Sequence, residues 1–97
     1  MFARRRIRWP PGVEEHIFER HRLSKYEVDA ALAGPVYARR VFVKNQPRYE
    51  VLGQVPESGR ILKAILEDAR FGGVDVVTAM DATLSEKGLY VRRAKGL

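Results

Sequence analysis

Val74-Asp75-Val76-Val77-Thr78-Ala79-Met80-Asp81-Ala82-Thr83-Leu84-Ser85-Glu86-Lys87-Gly88-Leu89-Tyr90 carries an apolar, β-branched run directly into two overlapping helix-start signals. Val and Thr favour a pleated, half-buried backbone. Thr78 followed by Asp81, and Thr83 followed by Glu86, each fit a capping box, in which a hydroxyl accepts from a first-turn N–H and a carboxylate reaches back. Thr78 is the expected cap, with a strand over Val74–Val77 and almost no loop before the helix. That helix should run to about Arg92 despite the weakening Gly88.

Working outward, Arg70-Phe71-Gly72-Gly73 should turn the chain into this last strand. Before it lie three runs that alternate at least in part between apolar and polar residues, Val36–Val43, Arg48–Val55 and Arg60–Leu66, the pattern of an antiparallel meander. Asn45-Gln46-Pro47 and Pro56-Glu57-Ser58-Gly59 are the expected hairpin loops. In the second run Tyr49, Val51, Gly53 and Val55 share one face, and Arg48, Glu50, Leu52 and Gln54 the other.

Two helices precede the meander. Ser24-Lys25-Tyr26-Glu27 is a capping box with Leu23 placed as a hydrophobic staple, and Gly34-Pro35 stops the helix it opens. An earlier helix opens at Pro11, with Val13, His16 and Ile17 at helical spacing and Glu14, Glu15 and Glu19 toward its start, where the dipole favours carboxylates. Residues Ile7–Trp9 form a short strand ended by Pro10-Pro11. The fold class is therefore α+β: a short N-terminal strand, two helices, a four-stranded mainly antiparallel sheet and a C-terminal helix. The helices are expected on one sheet face, leaving the opposite face for function.

A chain of 97 residues is a single domain, 1–97, and one of this size buries only roughly two-thirds of the surface its unfolded form exposes. It has no cysteine, which leaves no disulfide framework and no thiol-based zinc site. The Arg-rich start lacks the apolar run of a signal peptide, and no membrane-length apolar segment occurs, so a soluble, cytoplasmic protein is expected. Eighteen Lys and Arg against twelve Asp and Glu give a net charge of +6 and a pI of about 10.1, which suits a polyanion such as RNA or an acidic protein. Thirteen of the cations are arginine, whose planar fork matches phosphate and carboxylate. The Arg4–Arg8 cluster can hold phosphate or form a mobile, solvated arm over residues 1–6.

The opening stretch resembles the C-terminal signature of BrnT-family toxins, in which a strand ending Ile-Ser-Ala-Arg runs into a helix carrying Ala-Thr, Glu and Tyr. Val77, Thr78, Ala79, Ala82, Thr83, Glu86 and Tyr90 fit, and Trp9-Pro10-Pro11, Arg20-His21-Arg22-Leu23-Ser24, Arg48-Tyr49, Gly53 and Gly59-Arg60 extend the likeness over roughly Ile7 to Tyr90. Pro10 stands where that family has Asp, Arg22 where it has Gly, and Asp75 and Met80 where its last strand has arginines. The resemblance implies a fold like that of the RelE group of ribonucleases. It also implies metal-independent RNA cleavage, no cofactor, and neutralisation by a cognate antitoxin, with a heterotetramer as one assembly left open. A catalytically degenerate RNA- or protein-binding module of the same fold is the alternative.

Such cleavage uses the ribose 2′-OH as internal nucleophile, so the protein must remove a proton, stabilise charge on phosphate and protonate the leaving oxygen. His21 is a candidate base or acid, since imidazole titrates near neutral pH; a structural histidine at the end of the first helix is the other reading. Glu50 is a candidate base, or else half of a cross-strand ion pair. Arg48 and Arg60 are assigned to phosphate in the catalytic group, and Arg39, Lys63 and Tyr90 to RNA binding. Cross-strand convergence would be needed for the cations, and a core position is the alternative for Tyr90. His16 and His21, five apart, do not align as metal ligands, and no metal site is expected.

Overall fold

A computed structural model describes residues 5–96 and gives the element order strand, two helices, four strands, helix. The elements are β1 (Ile7–Arg8), α1 (Val13–His21), α2 (Lys25–Ala33), β2 (Val36–Val43), β3 (Gln46–Gln54), β4 (Ile61–Asp68), β5 (Val74–Asp81) and α3 (Leu84–Ala94). The α+β class holds. The four long strands pair antiparallel, and β1 adds to the far edge, parallel to β5, so the order across the sheet is β1-β5-β4-β3-β2. Of the basic arm expected over residues 1–6, the first four positions lie outside the described residues; Arg5 binds the turn before β5 through Gly72 O (2.9 Å) and Asp68 (2.8 Å).

Helix α2 starts where the sequence says it should. Ser24 Oγ accepts from the Glu27 N–H and the Glu27 carboxylate accepts from the Ser24 N–H, which completes the capping box. Helix α1 begins at Val13, after a Pro11-Gly12 turn, and ends on Arg22 in the left-handed region at φ 54°. Its N–H donates to Phe18 O at 3.0 Å, the usual geometry of a left-handed helix stop. Ile17, Leu23, Val28, Ala31 and Leu32 are fully buried against the inward residues of the sheet, among them Val51, Leu62, Ala64, Leu66 and Val76. Gly53 is required by this contact: a Cβ there would sit 2.8 Å from Ala31 O of α2.

Three expectations are corrected. Thr78 does not cap the last helix; it lies within β5 opposite Ile65, and Thr83 is the cap, its hydroxyl accepting from the Glu86 N–H (3.2 Å) while Glu86 accepts from the Thr83 N–H (2.9 Å). A β-branched residue with a strand partner gains more from the ladder than from a cap, so the strand continues to Asp81. The second hairpin strand begins at Gln46, because Lys44 and Asn45, at φ 51° and 65°, make the turn alone. Two consecutive left-handed residues match the twist of the flanking strands.

The third correction concerns layering. Helices α1 and α2 cover one face, but α3 packs on the other, where Tyr90 joins Leu52 and Ala82 in a second cluster with Tyr37, Ile61 and Leu89 around it. Leu52, on the mostly polar side of β3, is therefore buried. The second face is half covered and half open.

Candidate functional site

Strand alternation decides what the open half of the second face carries. Across the strands, Arg39 lies opposite Glu50, Glu50 opposite Ile65 and Ile65 opposite Thr78; Leu52 lies opposite Lys63 and Lys63 opposite Met80. In β5 the pairing jumps from Leu66↔Val76 to Ile65↔Thr78, so Val77 is an extra residue. This bulge reverses the alternation: Val74 and Val76 are buried before it and Ala79 after it. Asp75 and Met80, five residues apart, thereby come to the same face, a result a regular strand forbids.

The side chains on this face are tied in pairs. Arg39 Nε and Nη2 both donate to Glu50 Oε1, at 3.1 and 2.8 Å, and the Glu50 carboxylate raises the Arg39 pKa. Lys63 donates to Glu86 Oε2 at 2.9 Å. Burial opposes ionisation of Glu86, but the Thr83 N–H and the Lys63 ammonium outweigh it and hold the carboxyl below its ordinary range. Arg48 Nε is 3.1 Å from Glu67 Oε2 and Arg8 Nε is 3.4 Å from Asp75 Oδ1. Neither contact has hydrogen-bond geometry, and Arg48 Nε and Asp75 Oδ1 are buried without a hydrogen-bond partner. Four cations thus meet four carboxylates.

Of the residues expected to act together, Arg39, Arg48, Glu50 and Lys63 do share this surface. Arg60 does not. It precedes β4 on the face of α1 and α2, three residues from Lys63, an odd offset that sends the two side chains to opposite sides. Its guanidinium binds both Asp81 oxygens (Nε–Oδ1 2.6 Å, Nη2–Oδ2 3.1 Å) and donates to the Arg22 and His21 carbonyls at 2.9 and 3.1 Å. It also lies 3.6 Å from Glu27 of α2. Arg60 is a clamp on the end of α1, and it holds the Asp81 carboxyl below its ordinary pKa. His21 is the last residue of α1, on the same side as Arg60. It is therefore separated by the sheet from Glu50 and Arg48, and the four residues expected to be catalytic are not one constellation. Tyr90 is buried, its hydroxyl donates to Pro35 O at 2.9 Å, and burial raises its pKa. It is a core residue whose oxygen is engaged.

Glu67, Glu86 and the Arg8–Asp75 pair were not anticipated at the site. Glu67 was legible in principle, since Lys63, Ile65 and Glu67 are two apart, but the strand was expected to stop at Leu66. A second cluster was also missed: Tyr49 stacks under Arg40 and Arg5, whose guanidinium carbons lie 5.1 and 5.6 Å from the ring centre. Its hydroxyl is 3.3 Å from Asp68, which Arg5 holds below its ordinary pKa.

Among the described residues no three His, Asp or Glu side chains gather to hold a metal ion, and no helix is long and apolar enough to cross a membrane. Comparison with protein-family models and with curated proteins finds no match.

Proposed function

We propose that the protein is a BrnT-like toxin, an RNA-binding domain with slow, metal-independent ribonuclease chemistry, held inactive in the cytoplasm by a cognate antitoxin. One observation carries the reading. The bulge at Val77 brings Asp75 and Met80, where the resemblance has arginines, to the same open face as Arg39, Arg48, Glu50 and Lys63. Residues with related expected roles thus share one surface, which supports treating that surface as the RNA site. The net charge of +6 supports a polyanion as its ligand.

In this reading Glu50 is the base. Both bonds from Arg39 go to Oε1, leaving Oε2 to take the proton of a ribose 2′-OH as that oxygen attacks the adjacent phosphorus; the P–O5′ bond breaks to leave a 2′,3′-cyclic phosphate, and the departing 5′-oxygen takes its proton from water. Arg48 and Lys63 stand on either side to stabilise the charge that develops on the phosphoryl oxygens. His21 and Arg60 take no part. Asp75 draws Arg8 to itself and Met80 offers no charge, so turnover is slow; loss of one such donor typically lowers a rate by ~10²–10³-fold.

A second reading has its own observation. On the open face Arg8, Arg39, Arg48 and Lys63 are each already paired with a carboxylate, which favours a module that binds RNA or a protein without turnover. Purified protein incubated with single-stranded RNA in EDTA separates the two. Slow cleavage abolished by Glu50→Gln and kept in His21→Ala supports the ribonuclease; salt-dependent binding without cleavage supports the module; neither binding nor cleavage refutes the ribonuclease and the RNA-binding form of the module.

A further inference from the structure

Phe71 is fully exposed, and its backbone is left-handed at φ 59°, ψ 35°. A bulky aromatic in that region is an outlier, and such a residue persists only where its surroundings over-determine it. They do so here. Arg5 donates to Gly72 O (2.9 Å), to Gly73 O (3.2 Å) and to Asp68 (2.8 Å), while Ala69 N–H donates to Gly73 O at 2.8 Å. The turn is pinned on both sides of a ring that touches no core.

The ring borders a cleft of about 730 Å³ lined by Arg8, Asp68, Ala69, Arg70 and Asp75. Among the described residues Phe71 is the only large apolar side chain in that lining, and they supply no cluster of the anchors on which protein interfaces depend. Asp68 and Asp75 are engaged by Arg5 and Arg8, whereas Arg70 has no carboxylate partner among the described residues. A π face beside an arginine without a carboxylate partner suits an unpaired nucleobase and its phosphate. The cleft also abuts the open face at Arg8 and Asp75.

We infer that Phe71 is a stacking platform for one unpaired base of single-stranded RNA, with Arg70 on the adjoining phosphate. The inference rests on the RNA-binding reading above and adds to it a subsite outside Arg48, Glu50 and Lys63.

Fluorescence anisotropy with a labelled eight-nucleotide single-stranded RNA tests it, over a series of salt concentrations. Phe71→Ala and Phe71→Gly should weaken binding by about 5–150-fold, the range of one lost base stack, and leave the salt slope unchanged. Phe71→Trp should keep the affinity and show quenched emission beyond the Trp9 signal of the wild type. Arg70→Ala should flatten the log–log slope by about 0.7. Phe71→Gly relieves the left-handed strain, so its thermal midpoint should equal or exceed the wild type's, which separates lost binding from lost folding. Undiminished RNA binding in Phe71→Ala would overturn the inference alone. A wild type that binds no RNA would overturn the inference and the reading beneath it.

Discussion

Arg60→Ala tests whether this guanidinium is a structural clamp or a phosphate ligand. Truncation removes the pair with Asp81, whose side chain is more than half exposed; solvent screening limits that pair to about 0.5–1 kcal/mol. It also removes the bonds to the His21 and Arg22 carbonyls, worth about 1 kcal/mol each at a helix end where no other side chain among the described residues donates to these carbonyls. The expected loss is about 2–3 kcal/mol, a fall of about 10–20 °C in thermal midpoint for a domain of this size. Asp81→Ala removes only the first contribution and should cost about 0.5–1 kcal/mol. The Asp81 carboxyl is held below its ordinary pKa by Arg60. Its contribution is therefore present above about pH 4 and is lost as pH falls through the lower folded value. The carbonyl bonds do not titrate, so the gap between wild type and Arg60→Ala should narrow in acid without closing. Urea denaturation of both variants across pH measures this. Equal losses for Arg60→Ala and Asp81→Ala, or a gap that vanishes in acid, would refute the clamp on α1.

Three further expectations follow from the packing and the caps. Gly53→Ala should cost about 1–3 kcal/mol by urea denaturation, because its Cβ meets backbone atoms of Ala31 that have no rotamer to escape into; an unchanged midpoint would mean α2 is not seated there. Thr83→Ala should cost about 1 kcal/mol and Thr78→Ala less than half as much, with backbone chemical shifts keeping the helix start at Leu84; equal losses would reject the cap. Asp68 and Glu86 both have lowered carboxyl pKa values, so stability should hold above about pH 4.5 and fall as these groups protonate below it. A thermal midpoint flat from pH 6 to pH 3 would contradict that.

Much of the fold was legible because local chemistry agreed with it. The Ser24 box, the Gly34-Pro35 stop and the alternation of Val36–Val43 each fixed an element boundary. The order of elements followed. The last strand was harder: Thr78 and Thr83 carry equally good capping boxes, and only the cross-strand partner Ile65 decides between them. The side taken by α3 was not legible either, since an amphipathic helix states that it must be buried and not against which surface. Leu52 among Arg48, Glu50 and Gln54 was the one hint. At the site, the parity of Arg60 and Lys63 could have separated them from sequence alone, and the position of His21 at the end of a helix expected on the opposite sheet face could have separated it from Glu50. The company of Arg48 and Lys63 with Asp75 could not, because it depends on a bulge that no residue type announces.

That extra residue makes β5 a strand with two phases. Val74 and Val76 are set by the packing near α1, and Ala79 by the packing further along, each with its own count of inward and outward positions. Val77 is the joint that lets these counts disagree. Removing it would force one half to follow the other, driving Asp75 into hydrocarbon or Ala79 into water. The strand's length is thus a fixed quantity in a way that loop lengths are not. Sequence drift can alter what stands at positions 75 and 80 far more easily than the number of residues between them.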